Sequence, residues 1–247
     1  MEDSSFKRDY NSEYKDNERK YAYDFDYTLR DFMMRSFQPF FKEGKALELG
    51  CYKGEFTKKI MQYYNDVTVI EASNELVQIA KENTGPAVKF IHSTFEDAHL
   101  AEKYDCIFLM HTLEHLDEPV ETLKLINTWL TEKGRLFLVV PNANALSRQI
   151  AVHMGLITHN TAILESERQI GHRITYTLDT LYRDALQSGL KIINKGGILV
   201  KPLAGSQFDE ALKAKVITPE YLEGCYRLGM VYPDLCSSIY LICERGE

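Results

Sequence analysis

The sequence lacks the features that mark several large classes of protein. Its five cysteines form no C-x-x-C pair and their number is odd, so we expect reduced, buried thiols and no disulfide framework. No apolar run approaches the ~20 residues that span a bilayer, and the N-terminus is polar, without an apolar signal core. We therefore predict a cytoplasmic protein with no membrane partner.

Positive charge is also scarce. Lys and Arg number 29 against 36 Asp and Glu, so the formal net charge is −7. Because binding to the phosphates of a nucleic acid needs a basic surface, we predict no nucleic-acid partner. The sequence has no internal repeat and no low-complexity segment, and 247 residues suit one large α/β domain.

The most informative segment is a glycine-bearing turn between an apolar strand and a helix. Gly50 and Gly54 bracket this turn, and residues 55–64 carry helical spacing. Glycine lets the backbone approach a ligand closely, and the start of a helix offers unpaired N–H groups. Glu71 follows Gly50 by 71 − 50 = 21 residues, about the ~20-residue spacing at which a carboxylate binds ribose hydroxyls. The pattern predicts a site for a nucleoside-bearing cofactor.

Strand and helix patterns alternate beyond this turn, which is typical of a parallel sheet covered on both faces. We predict strands at 46–49, 67–71, 88–91, 105–110, 135–140, 190–200 and 237–243. We predict a flexible tail over residues 1–20 and a single domain over 21–247. Within that domain we expect an N-terminal helix or lid at 21–44 and insertions at about 142–175 and 205–233.

Four short motifs follow one another along the chain: Leu-Glu-Leu-Gly-Cys at 47–51 with Gly54, the acid Glu71, Phe-Glu-Asp at 95–97, and His-Thr-Leu-Glu-His-Leu at 111–116. Together they resemble the class I S-adenosylmethionine (SAM)-dependent methyltransferases, above all the small-molecule branch with the ubiquinone-biosynthesis O-methyltransferases. The resemblance implies a Rossmann-like, doubly wound, seven-stranded, mostly parallel sheet whose last strand is antiparallel. It also implies SAM as the cofactor and S-adenosylhomocysteine as its product.

The resemblance further implies which residues contact the cofactor. The glycine turn lies under the methionine part, the acid after the second strand binds the ribose, and the segment after the third strand faces the adenine. The loop after the fourth strand lies near the methyl group. Carried over, the contacts are Glu48, Gly50, Cys51, Gly54, Glu71, Thr94, Phe95, Glu96, Met110 and His111. The chain departs from the family at Tyr52, where a glycine is usual, and at Thr94, where many members have Asp.

His111 and His115 are the candidate catalytic bases, because a hydroxyl or amine acceptor must lose a proton. They are four residues apart and would share a face of a helix. The alternative is that they bond to loop backbone and only shape the crevice. Some ubiquinone-branch enzymes bind a divalent metal with the residues matching Glu114 and His115 and an acid in the place of His111. This chain lacks that acid, and we predict no metal.

Substrate contacts are expected in the N-terminal segment and in the first insertion. The candidates are Tyr23, Asn142, Asn144, Arg148, His172, Arg173 and Tyr176. The asparagines follow the fifth strand, at the edge where parallel sheets bind ligands. Arg148 and Arg173 could clamp an anionic group. The alternative for these side chains is a structural or solvated role.

The sequence therefore predicts a SAM-dependent methyltransferase that acts on O or N of a small molecule, as a monomer or homodimer. The acceptor would be a metabolite, a sugar- or nucleotide-linked precursor or a natural-product intermediate. One alternative is a non-catalytic SAM-binding protein of the same fold, and another is a methyltransferase for RNA or protein. An NAD-dependent oxidoreductase is disfavoured because the G-x-G-x-x-G motif is incomplete.

Overall fold

A computed structural model describes residues 8–11 and 23–246. Its strands are β1 (Lys45–Leu49), β2 (Asp66–Glu71), β3 (Val88–His92), β4 (Tyr104–Met110), β5 (Leu130–Pro141), β6 (Lys191–Val200) and β7 (Cys236–Glu244). They form one seven-stranded sheet in the order β3-β2-β1-β4-β5-β7-β6. Each predicted strand is present, and β5 begins five residues before the predicted start at residue 135.

The directions of the strands confirm the predicted fold class. β1 pairs in parallel with β2 and β4, and β3 and β5 extend the parallel set. β7 is antiparallel to both β5 and β6. This is the Rossmann-like, doubly wound α/β sheet with one antiparallel strand, and its parallel strands end at a common edge where a ligand crevice forms.

Helices cover both faces of this sheet. They are α1 (Asp24–Phe37), α2 (Glu55–Ile60), α3 (Asn74–Thr84), α4 (Pro119–Trp129), α5 (Leu146–His153), α6 (Glu165–Gln169), α7 (Leu178–Gln187), α8 (Gly205–Lys213) and α9 (Pro219–Val231). The Ser73 hydroxyl caps α3 by accepting from the Leu76 N–H at 3.3 Å, and Thr177 caps α7 in the same way through Thr180. Ser and Thr are favoured at this position because their hydroxyls accept from the unpaired N–H groups of the first turn.

Within the N-terminal helix or lid predicted at 21–44, α1 begins at Asp24, and Phe25 and Leu29 continue the buried face that Met33 belongs to. One helix boundary differs from the sequence prediction. α2 was expected to reach residue 64 and ends at Ile60. The prediction of a flexible tail concerns residues that lie, apart from 8–11, outside the described ones, and it stays a prediction.

Successive residues of β4 show why the sheet has two cores. Phe108 packs on the face that α1 covers, whereas Ile107 and Leu109 pack on the face covered by α4 and α7. Phe108 stacks on Phe137 with ring centroids 5.0 Å apart. This packing fixes the carboxyl end of β4 relative to α1, whose first turns reach the ligand crevice.

No helix within 8–11 and 23–246 is long and apolar enough to cross a bilayer.

Candidate functional site

A cavity of about 460 Å³ lies at the carboxyl ends of the parallel strands. This volume is in the range of small-molecule and cofactor pockets. The predicted site residues that line it are Tyr23, Glu48, Gly50, Cys51, Glu71, Thr94, Phe95, Glu96, Met110, His111, His115 and His172. The fold therefore gathers most of the residues predicted from the sequence around one space.

The turn after β1 needs glycine at its first position. Gly50 has φ +76°, and a Cβ there would lie 2.8 Å from the Thr112 Oγ1. Its N–H donates to the Ile70 carbonyl at 2.9 Å, which joins the turn to β2. Tyr52, where the resembled family has glycine, also has a positive φ, +51°. The turn thus keeps a glycine-like backbone although Tyr52 carries a side chain, and Tyr52 itself lines the cavity.

Gly54 is not among the residues that line the cavity, and its predicted cofactor contact stays a prediction. It precedes α2 with φ +82°, and a Cβ there would lie 3.3 Å from the Ala80 Cα and 3.1 Å from the Thr84 Cγ2. Gly54 therefore lets α2 approach α3 closely. Its role in this structure is helix packing beside the site.

The Glu71 carboxylate is fixed by backbone donors on two sides. Its Oε2 accepts from the Cys51 N–H at 3.1 Å and its Oε1 from the Ser73 N–H at 3.0 Å. Burial raises the pKa of Glu71, and these N–H donors oppose the shift. The carboxylate therefore ties the end of β2 to the glycine turn and faces the cavity at the predicted ribose position.

Glu48 is 1% exposed and accepts from the Thr57 hydroxyl at 2.5 Å. Burial raises the pKa of Glu48 to about 8. Since the pKa of an unfolded Glu is near 4.5, the folded protein keeps this proton to a higher pH than the unfolded chain does. The resulting stability is fully present below pH ~4.5 and is lost as the pH rises through about 8.

This linkage gives a testable pH dependence. Between pH 6 and pH 9 we expect Glu48 to lower the free energy of unfolding by about 2–3 kcal/mol, since each pKa unit corresponds to ~1.4 kcal/mol. E48Q, which resembles the protonated acid in shape, should lose less over the same interval. Urea unfolding of both proteins at the two pH values measures the difference. An equally steep fall in E48Q would show that Glu48 is not the titrating group.

His111 follows β4 in a left-handed conformation, with φ +52°. Its N–H donates to the Val139 carbonyl at 2.9 Å, and its Nε2 lies 3.0 Å from the Ser238 Oγ. Burial, followed by the positive charge of Arg30, lowers the pKa of His111 to about 3. His111 is therefore a neutral imidazole at ordinary pH, in contact with the cavity.

His111 and His115 would share a face only if the segment were one helix, and it is not. A single 3₁₀ turn, Leu113–His115, begins only after Thr112, so the two side chains are not one helical turn apart. Burial lowers the pKa of His115 well below its usual value. Both imidazoles nevertheless line the same cavity.

Glu114, His115 and His172 form a compact group, each with one candidate ligand atom within 4.8 Å of the others. The rings of His115 and His172 meet edge to face at 4.6 Å. Both carboxylate oxygens of Glu114 are buried without a hydrogen-bond partner in the part of the chain that the structure describes. One carboxylate and two imidazoles fit a transition-metal cation better than Mg²⁺. The absence of a metal stays a prediction from the sequence.

Three other predicted substrate contacts lie outside the cavity lining. The Asn142 amide donates to the Asp234 and Cys236 carbonyls at 2.8 and 2.9 Å. Its Oδ1 accepts from the Asn144 N–H at 2.9 Å, and its backbone bridges to Tyr176. The side chain of Asn142 thus joins the end of β5 to the start of β7, and the substrate-binding roles of Asn142, Asn144 and Tyr176 stay predictions.

The two arginines predicted to clamp an anion also have other partners. Arg148 pairs with Glu167, with Nη1 and Oε1 2.6 Å apart, and donates to carbonyl oxygens of the first insertion. Arg173 is 3.4 Å from Asp117 at the surface. Neither is among the residues that line the cavity. Arg148 holds the insertion together, and anion binding by Arg148 and Arg173 stays a prediction.

The cavity includes charged residues that the sequence reasoning missed. They are Arg8, Asp26, Arg30, Glu167 and Lys201. A signal for two of them was present, because Asp26 and Arg30 are four apart and flank the apolar positions of α1. The Arg30 Nη1 is buried and has no hydrogen-bond partner among residues 8–11 and 23–246. An orphaned buried donor that lines a cavity is a candidate ligand contact.

A short N-terminal segment lies against the mouth of the cavity. The Arg8 guanidinium donates to the His115 carbonyl at 2.5 Å, and the Asn11 Oδ1 accepts from the Ser73 hydroxyl at 2.8 Å. Residues 8–11 therefore contact both the loop after β4 and the start of α3. Arg8 and Tyr10 are part of the cavity wall.

Comparison with known sequences agrees with this geometry. Residues 21–195 match the family model described as a methyltransferase domain. A mitochondrial ubiquinone biosynthesis O-methyltransferase from Schizosaccharomyces pombe is 26% identical over 133 residues, 51% of this chain and 48% of that protein. A malonyl-[acyl-carrier protein] O-methyltransferase from Halalkalibacterium halodurans is 28% identical over 98 residues, 36% of each chain. The chain thus spans about half or less of these relatives.

Solved structures show the same fold. The N-methyltransferase NodS from Bradyrhizobium japonicum, in complex with S-adenosyl-L-homocysteine, superposes with a TM-score of 0.59 at 14% identity, covering 96% of this chain and 100% of that chain. A Haloferax volcanii putative methyltransferase in complex with the Trm112 activator gives a TM-score of 0.60 at 16% identity, with 90% and 89% covered. The family match covers well over half of the sequence, so this chain belongs to the methyltransferase domain family and has the class I SAM-dependent methyltransferase fold.

Proposed function

We propose that the protein is a SAM-dependent methyltransferase that transfers a methyl group to O or N of a small-molecule acceptor. The observation that carries the proposal is the Glu71 carboxylate, held by the Cys51 N–H at 3.1 Å in the same cavity as the Gly50 turn. A carboxylate in this place binds ribose hydroxyls, and the turn lets the rest of the cofactor approach the backbone.

The charges along the cavity suit the two ends of the cofactor. Arg30 lies close enough to the Glu48 carboxyl to stabilise its charged form, and its orphaned Nη1 would bind the carboxylate of the methionine part. Thr94, Phe95 and Glu96 line the opposite end, where the adenine would lie. S-adenosylmethionine would supply an activated methyl group on a sulfonium, leaving this chain to position the acceptor and take up its proton.

His111 and His115 are proposed to receive the acceptor proton or to orient the acceptor hydroxyl or amine. The low pKa values keep both imidazoles uncharged at neutral pH, and the neutral form is the one that accepts a hydrogen bond. The same shift makes His111 a weaker base than an ordinary histidine, so positioning should contribute more than proton affinity. The O-methyltransferase names of the curated relatives favour oxygen as the methylated atom.

The proposal predicts selective binding of one nucleoside ligand class. In isothermal titration with the full chain, S-adenosylmethionine and S-adenosylhomocysteine should bind with micromolar or better affinity, while NAD should bind at least 100-fold more weakly. NAD has no methionine carboxylate for Arg30, and the turn lacks the third glycine of dinucleotide sites. Tighter binding of NAD than of S-adenosylhomocysteine would contradict the proposal.

The remaining competitor is a SAM-binding protein without catalysis. Labelled SAM incubated with the protein and a metabolite extract separates the two functions, because only an enzyme transfers label to another molecule. A chain that binds S-adenosylhomocysteine yet labels nothing in extracts that support known methyltransferases would favour the non-catalytic function.

A further inference from the structure

Lys201 is a cation that lines the cavity but is not among the proposed cofactor contacts. It comes directly after β6, and its ammonium lies 4.9 Å from the centroid of the Phe25 ring. The side chain is half-buried and lines the cavity. Within residues 8–11 and 23–246 its Nζ makes no hydrogen bond and no ion pair. An ammonium has three donors, so Lys201 can bind an acceptor group in the cavity that it lines.

The acids nearest to Lys201 are engaged elsewhere. Asp209 accepts from the Asp24 and Phe25 N–H groups at 3.0 and 2.9 Å. Its carboxylate therefore pairs N–H groups at the start of α1 that would otherwise have no partner in the helix. The Asp26 carboxylate accepts from the Tyr23 N–H at 2.7 Å. Both acids favour the charged form of Lys201 by electrostatic attraction alone. Neither accepts a hydrogen bond from its N–H groups.

The position of Lys201 points to the acceptor and not to the cofactor. Lys201 packs against Phe25 of α1, with its Nζ 4.9 Å from the ring centroid, whereas the groups that hold Glu71 belong to the turn after β1 and the end of β2. Around Lys201 the wall includes Tyr23 and Gly205, which are in contact with each other. This wall belongs to α1 and the second insertion, the elements expected to vary with the acceptor.

We propose that Lys201 binds an anionic group of the methyl acceptor, a carboxylate or a phosphate, and holds the reacting atom beside His111. The inference rests on the proposed methyltransferase function and narrows its substrate class. A cation–anion hydrogen bond in a half-buried pocket is among the stronger polar contacts a protein can offer. It would orient the acceptor without taking part in the bond exchange.

The charge of the labelled product gives the first test. The full chain is incubated with methyl-labelled SAM and a metabolite extract, and the labelled products are separated by anion exchange and identified by mass spectrometry. The inference expects a product that keeps a carboxylate or phosphate. Alkaline phosphatase treatment of the extract should abolish labelling if the group is a phosphate monoester and leave it intact if it is a carboxylate. A neutral product would overturn the inference alone, and no product at all would overturn the proposed function with it.

Substitution of Lys201 gives the second test, with the identified acceptor as the probe. K201M should raise the KM for the acceptor at least tenfold, K201R should restore part of the loss, and the affinity for S-adenosylhomocysteine should stay within twofold. K195M, an exposed lysine of the same strand β6, is the matched control and should change neither. If K201M lowers thermal stability but leaves the acceptor KM unchanged, Lys201 only anchors α1. A large loss of S-adenosylhomocysteine affinity would place it in the cofactor site, and either result overturns the inference.

Discussion

E71Q should weaken the binding of S-adenosylhomocysteine by about 10- to 100-fold. Hydrogen bonds to a charged group contribute about 1.5–3 kcal/mol, and each 1.4 kcal/mol corresponds to a factor of ten in affinity. In the folded protein both oxygens of Glu71 already accept from backbone N–H groups, at 3.1 and 3.0 Å. The amide of glutamine has only one acceptor oxygen, so it must either leave one N–H unpaired or turn away from the ribose. Isothermal titration with S-adenosylhomocysteine measures the loss.

A control on the next helix separates this effect from a general change in charge. E82Q removes the same charge from an exposed position of α3, and its affinity should stay within twofold of the unmodified protein. Because Glu71 also joins β2 to the turn, thermal unfolding of E71Q must first show a folded protein at the titration temperature. Unchanged affinity in a folded E71Q would refute the ribose-binding role of Glu71.

The sheet could be predicted because its local signals agree with its tertiary structure. β4 is a continuous apolar run, and Ser73 and Thr177 cap the helices that they precede. The end of α2 could not be predicted in the same way, because helical spacing continues to residue 64 whereas the helix ends at Ile60.

The part of the cavity that we propose binds the cofactor could be found from the sequence because its residues follow strand ends. The part that we propose binds the acceptor could not, since it is lined by residues of α1, the first insertion and the segment after β6, which are far apart along the chain. Asn142 illustrates the difficulty: it stands at a strand end, as a substrate contact would, but its amide joins two backbone segments. Lys201 belongs to no motif, and only the folded chain places it in the lining of the same cavity as His111.

G50A should lower the free energy of unfolding by about 2–4 kcal/mol and abolish measurable cofactor binding. A left-handed conformation costs a residue with a Cβ about 1–2 kcal/mol. The added methyl would also lie 2.8 Å from the Thr112 Oγ1 and 3.0 Å from its Cγ2. Thr112 must then move and give up its bonds to the Leu49 and Met110 carbonyls, both 3.2 Å, at a further ~1–2 kcal/mol. Urea unfolding measures the stability, and titration with S-adenosylhomocysteine measures the binding.

Gly155 provides the matched control because it shares the conformation but not the crowding. Its φ is +73°, and a Cβ there would meet nothing within 4 Å, so G155A should lose only about 1–2 kcal/mol. In the double variant G50A/T112A the contact is removed and only the backbone cost remains, so the two substitutions should be coupled by at least about 1 kcal/mol. Additive losses would show that the conformation of the turn, and not the closeness of Thr112, is what requires glycine at position 50.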